Sequence, residues 1–265
     1  MKIKTGIIGG TGIYDLPGVE GIEKRTITTE YGDVVVNIGR VGSRQVAFLT
    51  RHGEEHSIPP GEINYRANIK AMAKLGVKQI FATACSGGLN MSYEEGDLVI
   101  IRQFVEFVKN RPASFFTGKE NQGKKIAHVD LTEPYCDDLC NILLRAAKDI
   151  GIALKDNATY CCMEGPRFET KAEIKMMQAL GFDLVAHTQY PEAALAREAG
   201  ICYAAVGMVA NMAAGIKDEH VITEDVQENM AKIFHNVQNL LIRAVELTAE
   251  DRECWCMTAL EGSFA

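Results

Sequence analysis

The sequence predicts a single α/β domain in which a mixed central β-sheet is flanked by helices. The chain has 265 residues and is 47% apolar, and short β-branched runs alternate along it with helical patterns. A chain of this length and apolar content can bury a large core without dividing further. Buried strands interleaved with capped helices are typical of a sheet covered on both faces. We therefore expect residues 1–265 to form one domain.

Short runs of β-branched and other apolar residues predict the strands. The predicted strands are Thr5–Ile8, Val34–Ile38, Gln45–Leu49, Gln79–Ala84, Leu98–Ile101, Ala158–Met163, Leu184–Ala186 and Cys202–Val209.

Capping signals and apolar periodicity predict the helices. One helix spans Gly61–Leu75, and the capping box Thr170–Glu173 opens another that ends at Gly181. A third occupies Pro191–Gly200, because proline suits the first helical position and glycine the end. Over about Glu224–Leu247 the apolar residues recur with a period near 3.6, which predicts a long amphipathic helix.

The charge pattern excludes several classes of partner. Formal net charge is −7, and the 28 basic residues are scattered, so the chain lacks the basic patch that binds nucleic acid. No apolar stretch approaches the roughly 18 residues that a membrane span requires. We expect a cytoplasmic protein with no nucleic-acid or membrane partner. A small anion bound in a cleft is compatible with this charge pattern.

The chain contains eight cysteines, most of them inside apolar stretches. In such places a reduced thiol acts as a small hydrophobic group, and a chain this long does not need a disulfide scaffold. Cys254-Trp-Cys256 differs because it lies near a polar C-terminus. This pair is compatible with a strained disulfide, with a metal site and with two free thiols.

Ligands of such sheets collect at the carboxyl ends of the strands. Gly9–Gly12 follows the first predicted strand, and the N–H groups of this glycine-rich turn and the Thr11 hydroxyl suit a phosphate. A dinucleotide-binding turn would have a third glycine at Asp15, which disfavours a nicotinamide-dependent oxidoreductase. A tight turn without a ligand is the alternative.

Arg51 and His52 follow the strand predicted at Gln45–Leu49. The segment 52–56 matches a metalloprotease pattern, but that pattern needs a helix that Gly53 and Pro59-Pro60 oppose. We therefore predict no metal there. Adjacent arginine and histidine suit an anion better, because the guanidinium supplies two parallel donors and the imidazole another. A salt-bridged surface pair is the alternative.

Small residues follow the strand at Gln79–Ala84. In the segment Cys85–Asn90 the paired glycines let a ligand lie directly on the backbone, where consecutive N–H groups form an anion-binding concavity. Cys85 is not predicted to be a nucleophile, because no general base stands at a recognisable spacing.

A fourth region combines an aromatic ring, a carboxylate and a carboxamide. These groups suit a heterocycle that has a ring N–H and a carbonyl. Phe168 could stack on the ring and Glu169 could accept a hydrogen bond from it, while Asn211 could both donate and accept. Each also has a simpler interpretation, since Phe168 could be a core residue and Glu169 could lie in the first turn of its helix.

Taken together, these segments resemble the family of trimeric purine nucleoside phosphorylases and 5′-methylthioadenosine phosphorylases. Collinear motifs along nearly the whole chain support the resemblance: Gly6–Gly12, Arg51–Gly53, Asn64–Asn68, Gly96-Asp97, His128–Asp130, Glu164–Phe168, Pro191-Glu192 and Gly200–Tyr203.

The resemblance implies a phosphate site and a nucleoside site. The implied phosphate site comprises Thr11, Arg51, His52, the Ala84–Cys85 backbone and Thr188. The implied nucleoside site comprises Phe168, Glu169, His187, Asn211, Met212, Ala213 and Thr223.

The resemblance also implies which groups act in catalysis and how the chain assembles. Asn211, Glu169 and His52 would be catalytic, with inorganic phosphate as a co-substrate and no metal or organic cofactor. The protein would be a homotrimer or a dimer of trimers. In that assembly His128 and the Phe115-Phe116 region would reach a neighbouring subunit's site.

Departures from the family pattern point to the base. Methylthioadenosine-cleaving members typically have a small hydroxyl residue at Glu169, and aspartates at Asn211 and Ala213. A carboxylate that accepts from N1–H and a carboxamide that donates to O6 and N7 suit 6-oxopurines such as inosine, guanosine or 5′-methylthioinosine. A 5′-methylthioadenosine phosphorylase and a non-catalytic nucleoside-binding protein are the alternatives.

His187 is the second departure, because the family usually places methionine against the sugar at this position. Imidazole is polar and titratable, so the resemblance leaves the sugar contact of this chain open.

Overall fold

A computed structural model describes residues 3–10, 16–53, 57–117, 125–218 and 220–265 of the chain. Its strands are β1 (Thr5–Gly9), β2 (Glu20–Thr29), β3 (Gly32–Val41), β4 (Arg44–Thr50), β5 (Gln79–Gly88), β6 (Leu98–Glu106), β7 (Lys155–Cys162), β8 (Leu184–Ala186) and β9 (Cys202–Met212). Its helices are α1 (Tyr65–Leu75), α2 (Asp137–Ile150), α3 (Lys171–Ala179), α4 (Gln189–Glu198) and α5 (Thr223–Leu247).

The strands form one mixed sheet in the order β2-β3-β4-β1-β5-β8-β7-β6-β9. β1 is parallel to β4 and β5, while β2, β3 and β4 are antiparallel neighbours. Helix α1 packs against β2, β3 and β4, and α2 and α5 pack against each other and against β9. The predicted fold class, a mixed sheet flanked by helices, is therefore confirmed.

The second half of the sheet closes on itself, which the sequence did not predict. β9 pairs antiparallel with β6 at one edge and parallel with β5 at the other. Strands β5, β8, β7, β6 and β9 consequently form a ring, and β1 to β4 extend it as an open sheet. Closure removes the exposed edge that β9 would otherwise present.

Each predicted strand coincides with an observed one, although most of the observed strands are longer. The prediction at Ala158–Met163 runs one residue too far, since β7 ends at Cys162. Strand β2 was not predicted, because nearly all of its residues are exposed and its charges leave no alternating apolar face. Helix α2 was not predicted either.

The helix boundaries follow their capping groups. α1 begins at Tyr65, four residues after the predicted start, because the Asn64 side chain accepts from the Ala67 N–H and a short 3₁₀ turn precedes it. The capping box of α3 is present as predicted, with Thr170 and Glu173 each bonded to the other's backbone. None of the helices in the described segments is both long and apolar enough to cross a membrane.

The strand directions bring the predicted ligand residues to one edge. β1, β4, β5 and β9 run parallel, so all four end at the same side of the sheet. β8 runs antiparallel to β5, with Leu184 opposite Gly88 and Val185 opposite Gly87, and it ends directly before His187 and Thr188. A ligand site at this edge is the expectation for such a topology.

Gly207 tests the packing inside the closed ring. A Cβ at this position would lie 2.4 Å from Leu184 Cδ1, so Gly207→Ala forces the leucine to shift. We expect a loss of about 1–3 kcal/mol in the free energy of unfolding, measured by urea denaturation. Leu184→Val in the same chain should recover part of that loss, because it shortens the obstructing side chain. A Gly207→Ala protein as stable as the wild type would contradict this description of the ring.

Candidate active site

One cavity of about 380 Å³ lies at the edge where the strand ends converge. Residues from all four predicted ligand regions line it, which brings the separate sequence signals to one place. The predicted site residues that line the cavity are Arg51, His52, Cys85, Phe168, Glu169, His187, Thr188, Asn211, Ala213 and Thr223.

Close backbone packing shapes the floor of this cavity. A Cβ on Gly87 would lie 3.3 Å from the Ala213 backbone, and one on Gly10 would lie 3.1 Å from Arg51 Nη1. The β5–β9 register shifts between Ser86 and Gly87, where one strand carries an extra residue. Such a bulge locally bends the strand, and here it lies directly before Asn211.

Arg51 is fully buried in an ion pair with Glu192 of α4. Its Nε and Nη2 donate to the two carboxylate oxygens at 2.7 and 2.6 Å, and Nη1 donates to the Thr83 carbonyl at 3.1 Å. Burial opposes the charge, but the Glu192 carboxylate outweighs it and raises the pKa of Arg51 above its ordinary value. The parallel fork predicted for an anion is therefore engaged by Glu192, and one further N–H bond remains on each of Nη1 and Nη2 of this fully buried side chain.

His52 is held beside Arg51 by its own loop. Its Nδ1 lies 2.9 Å from the Ile58 carbonyl oxygen, and the Ile58 N–H donates to the His52 carbonyl at 3.1 Å. An N–H on Nδ1 fixes the tautomer and makes Nε2 an acceptor in the neutral ring and a donor in the protonated one. A hydrogen phosphate ion can serve either state, because it has both an O–H and acceptor oxygens.

Small polar groups complete this side of the cavity. Thr188 precedes α4 and its hydroxyl makes no capping hydrogen bond to that helix, while its N–H donates to Tyr160 Oη at 3.2 Å. The Gly10 N–H donates to Thr83 Oγ1 at 3.1 Å. Burial raises the pKa of the Cys85 thiol to about 12, so it is protonated at neutral pH and unsuited to be a nucleophile.

Glu169 and His187 leave two buried polar atoms unsatisfied among the described residues. Glu169 Oε1 and His187 Nδ1 are 4.0 Å apart and neither has a hydrogen-bond partner in the part of the chain described. Burial raises the pKa of Glu169 and lowers that of His187 to about 4, so the imidazole is neutral at pH 7. Orphaned buried polar atoms that line a cavity are what a polar ligand would satisfy.

Glu169 precedes the helix rather than lying in its first turn. Thr170 is the N-cap of α3, and the helix begins at Lys171. The carboxylate is therefore not bound to the helix N-terminus, and the simpler interpretation of this residue does not hold. Phe168 is likewise not a core residue, since it is 41% exposed and lines the cavity.

Arg111, which sequence reasoning missed, holds the two segments that carry Glu169 and His187. Its guanidinium donates to the carbonyl oxygens of Glu164, His187 and Tyr190. The His187 ring also packs against Gly165, where a Cβ would lie 2.9 Å from the imidazole. No motif marks Arg111, because its partners are backbone carbonyl oxygens, the Glu164 carboxylate and the Tyr65 hydroxyl, all 46 or more residues away along the chain.

Asn211 stands at the end of β9 with its amide partly engaged. Nδ2 donates to the Met212 carbonyl at 2.8 Å, which uses one of the two amide N–H bonds. The other N–H and the carbonyl oxygen are the groups that a ligand could meet.

Three of the remaining predicted site residues do not line this cavity. Met212 lines a neighbouring cavity with Asn229 and Lys217 rather than this one. Ala84 is buried behind the lining, and His128 bonds through its backbone N–H to Ser263 near the C-terminus. Thr11 lies outside the described residues.

Several lining residues were not predicted as site residues: Ser57, Ile58, Pro59, Pro60, Pro166, Val185, Ala186, Ala214, Val226 and Gln227. Pro59 and Pro60 were interpreted only as helix breakers, and Val226 only as part of the apolar face of α5. Glu192, the partner of Arg51, appeared in a motif but carried no predicted role.

Comparison with known proteins identifies the family of the chain. The Phosphorylase superfamily model matches residues 4–246 of the chain. The chain belongs to this superfamily. The sequence is 46% identical over 259 residues to the probable 6-oxopurine nucleoside phosphorylase of Thermococcus kodakarensis, covering 97% of each protein. It is 45% identical over 261 residues to the probable S-methyl-5′-thioinosine phosphorylase of Methanopyrus kandleri, covering 98% of each.

The fold matches solved structures of the same superfamily. The methylthioadenosine phosphorylase of Schistosoma mansoni, solved with adenine, superimposes with a TM-score of 0.93 at 32% sequence identity. The alignment covers 99% of both chains.

Glu192→Gln tests the buried ion pair. The substitution leaves the Arg51 charge buried without its counter-charge, so we expect a loss of about 3–5 kcal/mol in the free energy of unfolding by urea denaturation. Glu198→Gln is the matched control, because Glu198 is also buried on α4 but accepts from the Phe115 N–H rather than from an arginine. Burial already raises the pKa of Glu198, so a neutral amide should cost less there. Equal losses in the two variants would contradict the assigned importance of the pair.

Proposed function

We propose that this chain cleaves 6-oxopurine nucleosides with inorganic phosphate, releasing the free base and a sugar 1-phosphate. The observation that carries the proposal is a single cavity lined both by anion-binding groups and by a carboxylate with a carboxamide. Arg51, His52 and Thr188 are the anion-binding groups, and Glu169 and Asn211 suit a purine. The names of the relatives from Thermococcus kodakarensis and Methanopyrus kandleri support the same reaction class.

The phosphate would lie against Arg51, His52, Thr188 and the backbone of Cys85. The Glu192 carboxylate fixes the guanidinium, so its remaining N–H bonds have one orientation before phosphate arrives. Preorganised donors need no rearrangement when the reaction begins. Thr11 is a further proposed phosphate ligand on the strength of the family resemblance.

The base would bind through Glu169 and Asn211. A 6-oxopurine carries a hydrogen on N1 and an acceptor at O6, which match the unsatisfied Glu169 Oε1 and the second N–H of Asn211. Phe168 lines the same cavity and offers an aromatic face for stacking. In adenine the donor and acceptor are exchanged, because N1 carries a lone pair and the 6-amino group carries hydrogens. The N1 lone pair would therefore face the Glu169 carboxylate.

Catalysis would stabilise opposite charges on the two halves of the substrate. Cleavage of the N-glycosidic bond builds positive charge on the sugar and negative charge on the leaving purine. Bound phosphate acts as counter-ion and attacking group for the sugar, and Asn211 stabilises the departing base at O6 through the N–H that its bond to Met212 leaves over. His52 positions the phosphate, and no metal or organic cofactor takes part.

The same proposal covers the substrate range and the setting. Inosine, guanosine and 5′-methylthioinosine present the same face to Glu169 and Asn211, so all three are candidate substrates. The chain would act in purine salvage in the cytoplasm as a homotrimer or a dimer of trimers, with His128 reaching a neighbour's site. It would have no nucleic-acid or membrane partner.

The test of the proposed reaction is inosine cleavage with and without phosphate. Purified protein should release hypoxanthine only when phosphate is present, and ribose 1-phosphate should appear in equal amount. Release of free ribose without phosphate would indicate a hydrolase. Binding without any cleavage would indicate a nucleoside-binding protein.

Thr188→Val tests the phosphate site without disturbing the buried ion pair. Loss of one hydroxyl bonded to an anion costs about 1.5–3 kcal/mol, so the KM for phosphate should rise roughly 10- to 100-fold. The KM for inosine should change little. Thr223→Val is the matched control, because Thr223 lines the same cavity and is assigned to the nucleoside. In steady-state kinetics Thr223→Val should raise the KM for inosine and leave the KM for phosphate nearly unchanged. The same changes in KM for both variants would contradict both assignments.

Glu169→Ser combined with Asn211→Asp tests the base site. Each mismatched buried group costs about 1–3 kcal/mol, so the wild type should prefer inosine to adenosine by a factor of tens or more in kcat/KM. The double variant should shift that ratio towards adenosine, and each single variant should be poor on both. A wild-type enzyme equally efficient on both nucleosides would contradict the base pairing while leaving phosphorolysis intact.

A further inference from the structure

Four cysteine thiols converge at a place that the proposed reaction does not use. The sulfur atoms of Cys136, Cys202, Cys254 and Cys256 all lie within 4.8 Å of one another. Three of these residues are buried and Cys254 is half-buried. None of the four lines the cavity of the candidate active site.

Three separate segments of the chain bring these thiols together. Cys136 is the N-cap of α2, Cys202 is the first residue of β9, and Cys254 and Cys256 lie in the segment after α5. The Cys136 N–H donates to the Tyr203 carbonyl at 2.7 Å, which fixes the first two segments side by side. The convergence is therefore a property of the tertiary fold and not of the Cys-x-Cys spacing alone.

The C-terminal segment is firmly docked at the cluster. Trp255 stands between Cys254 and Cys256 in the sequence. The Arg197 guanidinium lies 4.6 Å from the centroid of the Trp255 ring. A Cβ on Gly200 would lie 3.0 Å from the Met257 carbonyl, so the two backbones are in close contact. These contacts hold Cys254 and Cys256 against the core on the side where Cys202 begins its strand.

The sulfur spacing matches a tetrahedral metal ion. Zinc–thiolate bonds are about 2.3 Å long, so two sulfurs of one tetrahedron are separated by about 3.8 Å. Cys136 Sγ and Cys254 Sγ are 3.7 Å apart. A cluster of several iron and sulfide ions would need more space than sulfurs within 4.8 Å allow.

One guanidinium, which is itself paired with a carboxylate, lies beside the cluster. Arg252 Nη2 lies 3.7 Å from Cys136 Sγ and also donates to Asp138 Oδ2 at 2.9 Å. Four thiolates around a divalent cation carry a net negative charge, which an adjacent guanidinium offsets. Soft thiolate ligands select zinc over hard cations such as magnesium and calcium.

We propose that Cys136, Cys202, Cys254 and Cys256 bind one Zn²⁺ ion as four thiolates and that this ion fastens the C-terminal segment to α2 and β9. Four protein ligands fill a tetrahedral zinc completely, which is the mark of a structural site. The ion would therefore stabilise the fold and take no part in phosphorolysis.

The first test measures zinc and thiols on the unaltered protein. The full chain is expressed in zinc-supplemented medium and purified without chelators under a non-thiol reductant, and the metal is determined by plasma mass spectrometry. The proposal predicts about one zinc per chain. After denaturation in chelator all eight cysteines should react with a thiol reagent. Absence of zinc would overturn the proposal. This holds if all eight thiols react with the reagent, and also if the number of reactive thiols is smaller by two for each disulfide present.

The second test assigns the ion to these residues. Cys254→Ser combined with Cys256→Ser should lower the zinc content to near zero and lower the melting temperature. Cys140→Ser is the matched control, because Cys140 is buried on α2 but lies outside the cluster, and it should keep its zinc. Zinc retained in the double variant would overturn the assignment.

A third measurement does not depend on the folding of any variant. Exchange of the wild-type zinc for Co²⁺ should give the ligand-field and thiolate charge-transfer bands of tetrahedral cobalt. A spectrum of octahedral cobalt with oxygen ligands would contradict a four-thiolate site. Activity of the cobalt protein on inosine should equal that of the zinc protein, since the ion lies away from the cavity.

Discussion

The buried ion pair between Arg51 and Glu192 is the constraint on which the candidate active site depends. Moving two charges out of water costs several kcal/mol per ion, and only close hydrogen-bonded geometry repays it. Glu192 accepts from two nitrogens of Arg51 and from the Tyr203 hydroxyl at 2.6 Å. Arg51 in turn donates to Thr83. The pair thereby ties the end of β4 to β5, α4 and β9.

The ion pair leaves the proposed phosphate site with little net charge from Arg51. A buried guanidinium neutralised by one carboxylate attracts a dianion less than a bare charge would, but it holds its remaining donors in a fixed direction. In the proposed site His52 and Thr188, which line the same cavity, would add further directed hydrogen bonds. Recognition of phosphate in such a site would rest on hydrogen-bond geometry more than on net charge.

In contrast to the paired side chains of Arg51 and Glu192, the side chains of Glu169 and His187 each carry an unsatisfied polar atom within the described structure. Arg111 satisfies the carbonyl oxygens of the segments that carry them, so the backbone is fixed while the two side chains stay unsatisfied within the described structure. Burial of these two side chains costs stability that a ligand with a matching donor returns on binding. The pKa of Glu169 is raised, so as the pH falls its carboxylate becomes an acid and loses acceptor capacity at higher pH than an exposed glutamate would. Affinity for a base that donates from N1 should fall in the same range.

The sequence predicted the fold class, most strands and the clustering of ligand residues, because strand ends in a mixed sheet meet at one edge. It could not predict the ring closure, since the pairing of β9 with β5 and β6 is a long-range property that local patterns do not encode. Arg111 was missed because its partners, carbonyl oxygens together with the Glu164 carboxylate and the Tyr65 hydroxyl, lie far from it along the chain. The predicted role of Arg51 was incomplete because its fork is engaged by Glu192, a residue 141 positions away. Met212 was assigned by resemblance, and the end of β9 directs it to the neighbouring cavity.

The most direct test of the central claim is the affinity of the free bases for the wild-type protein, measured by isothermal titration calorimetry in phosphate buffer at pH 7. If Glu169 accepts from N1 and Asn211 donates to O6, hypoxanthine should bind at least about tenfold more tightly than adenine, because adenine leaves two mismatched buried groups that cost about 1–3 kcal/mol each. The preference should disappear when Glu169 is replaced by serine and Asn211 by aspartate. Equal affinity of the wild type for the two bases would contradict the account.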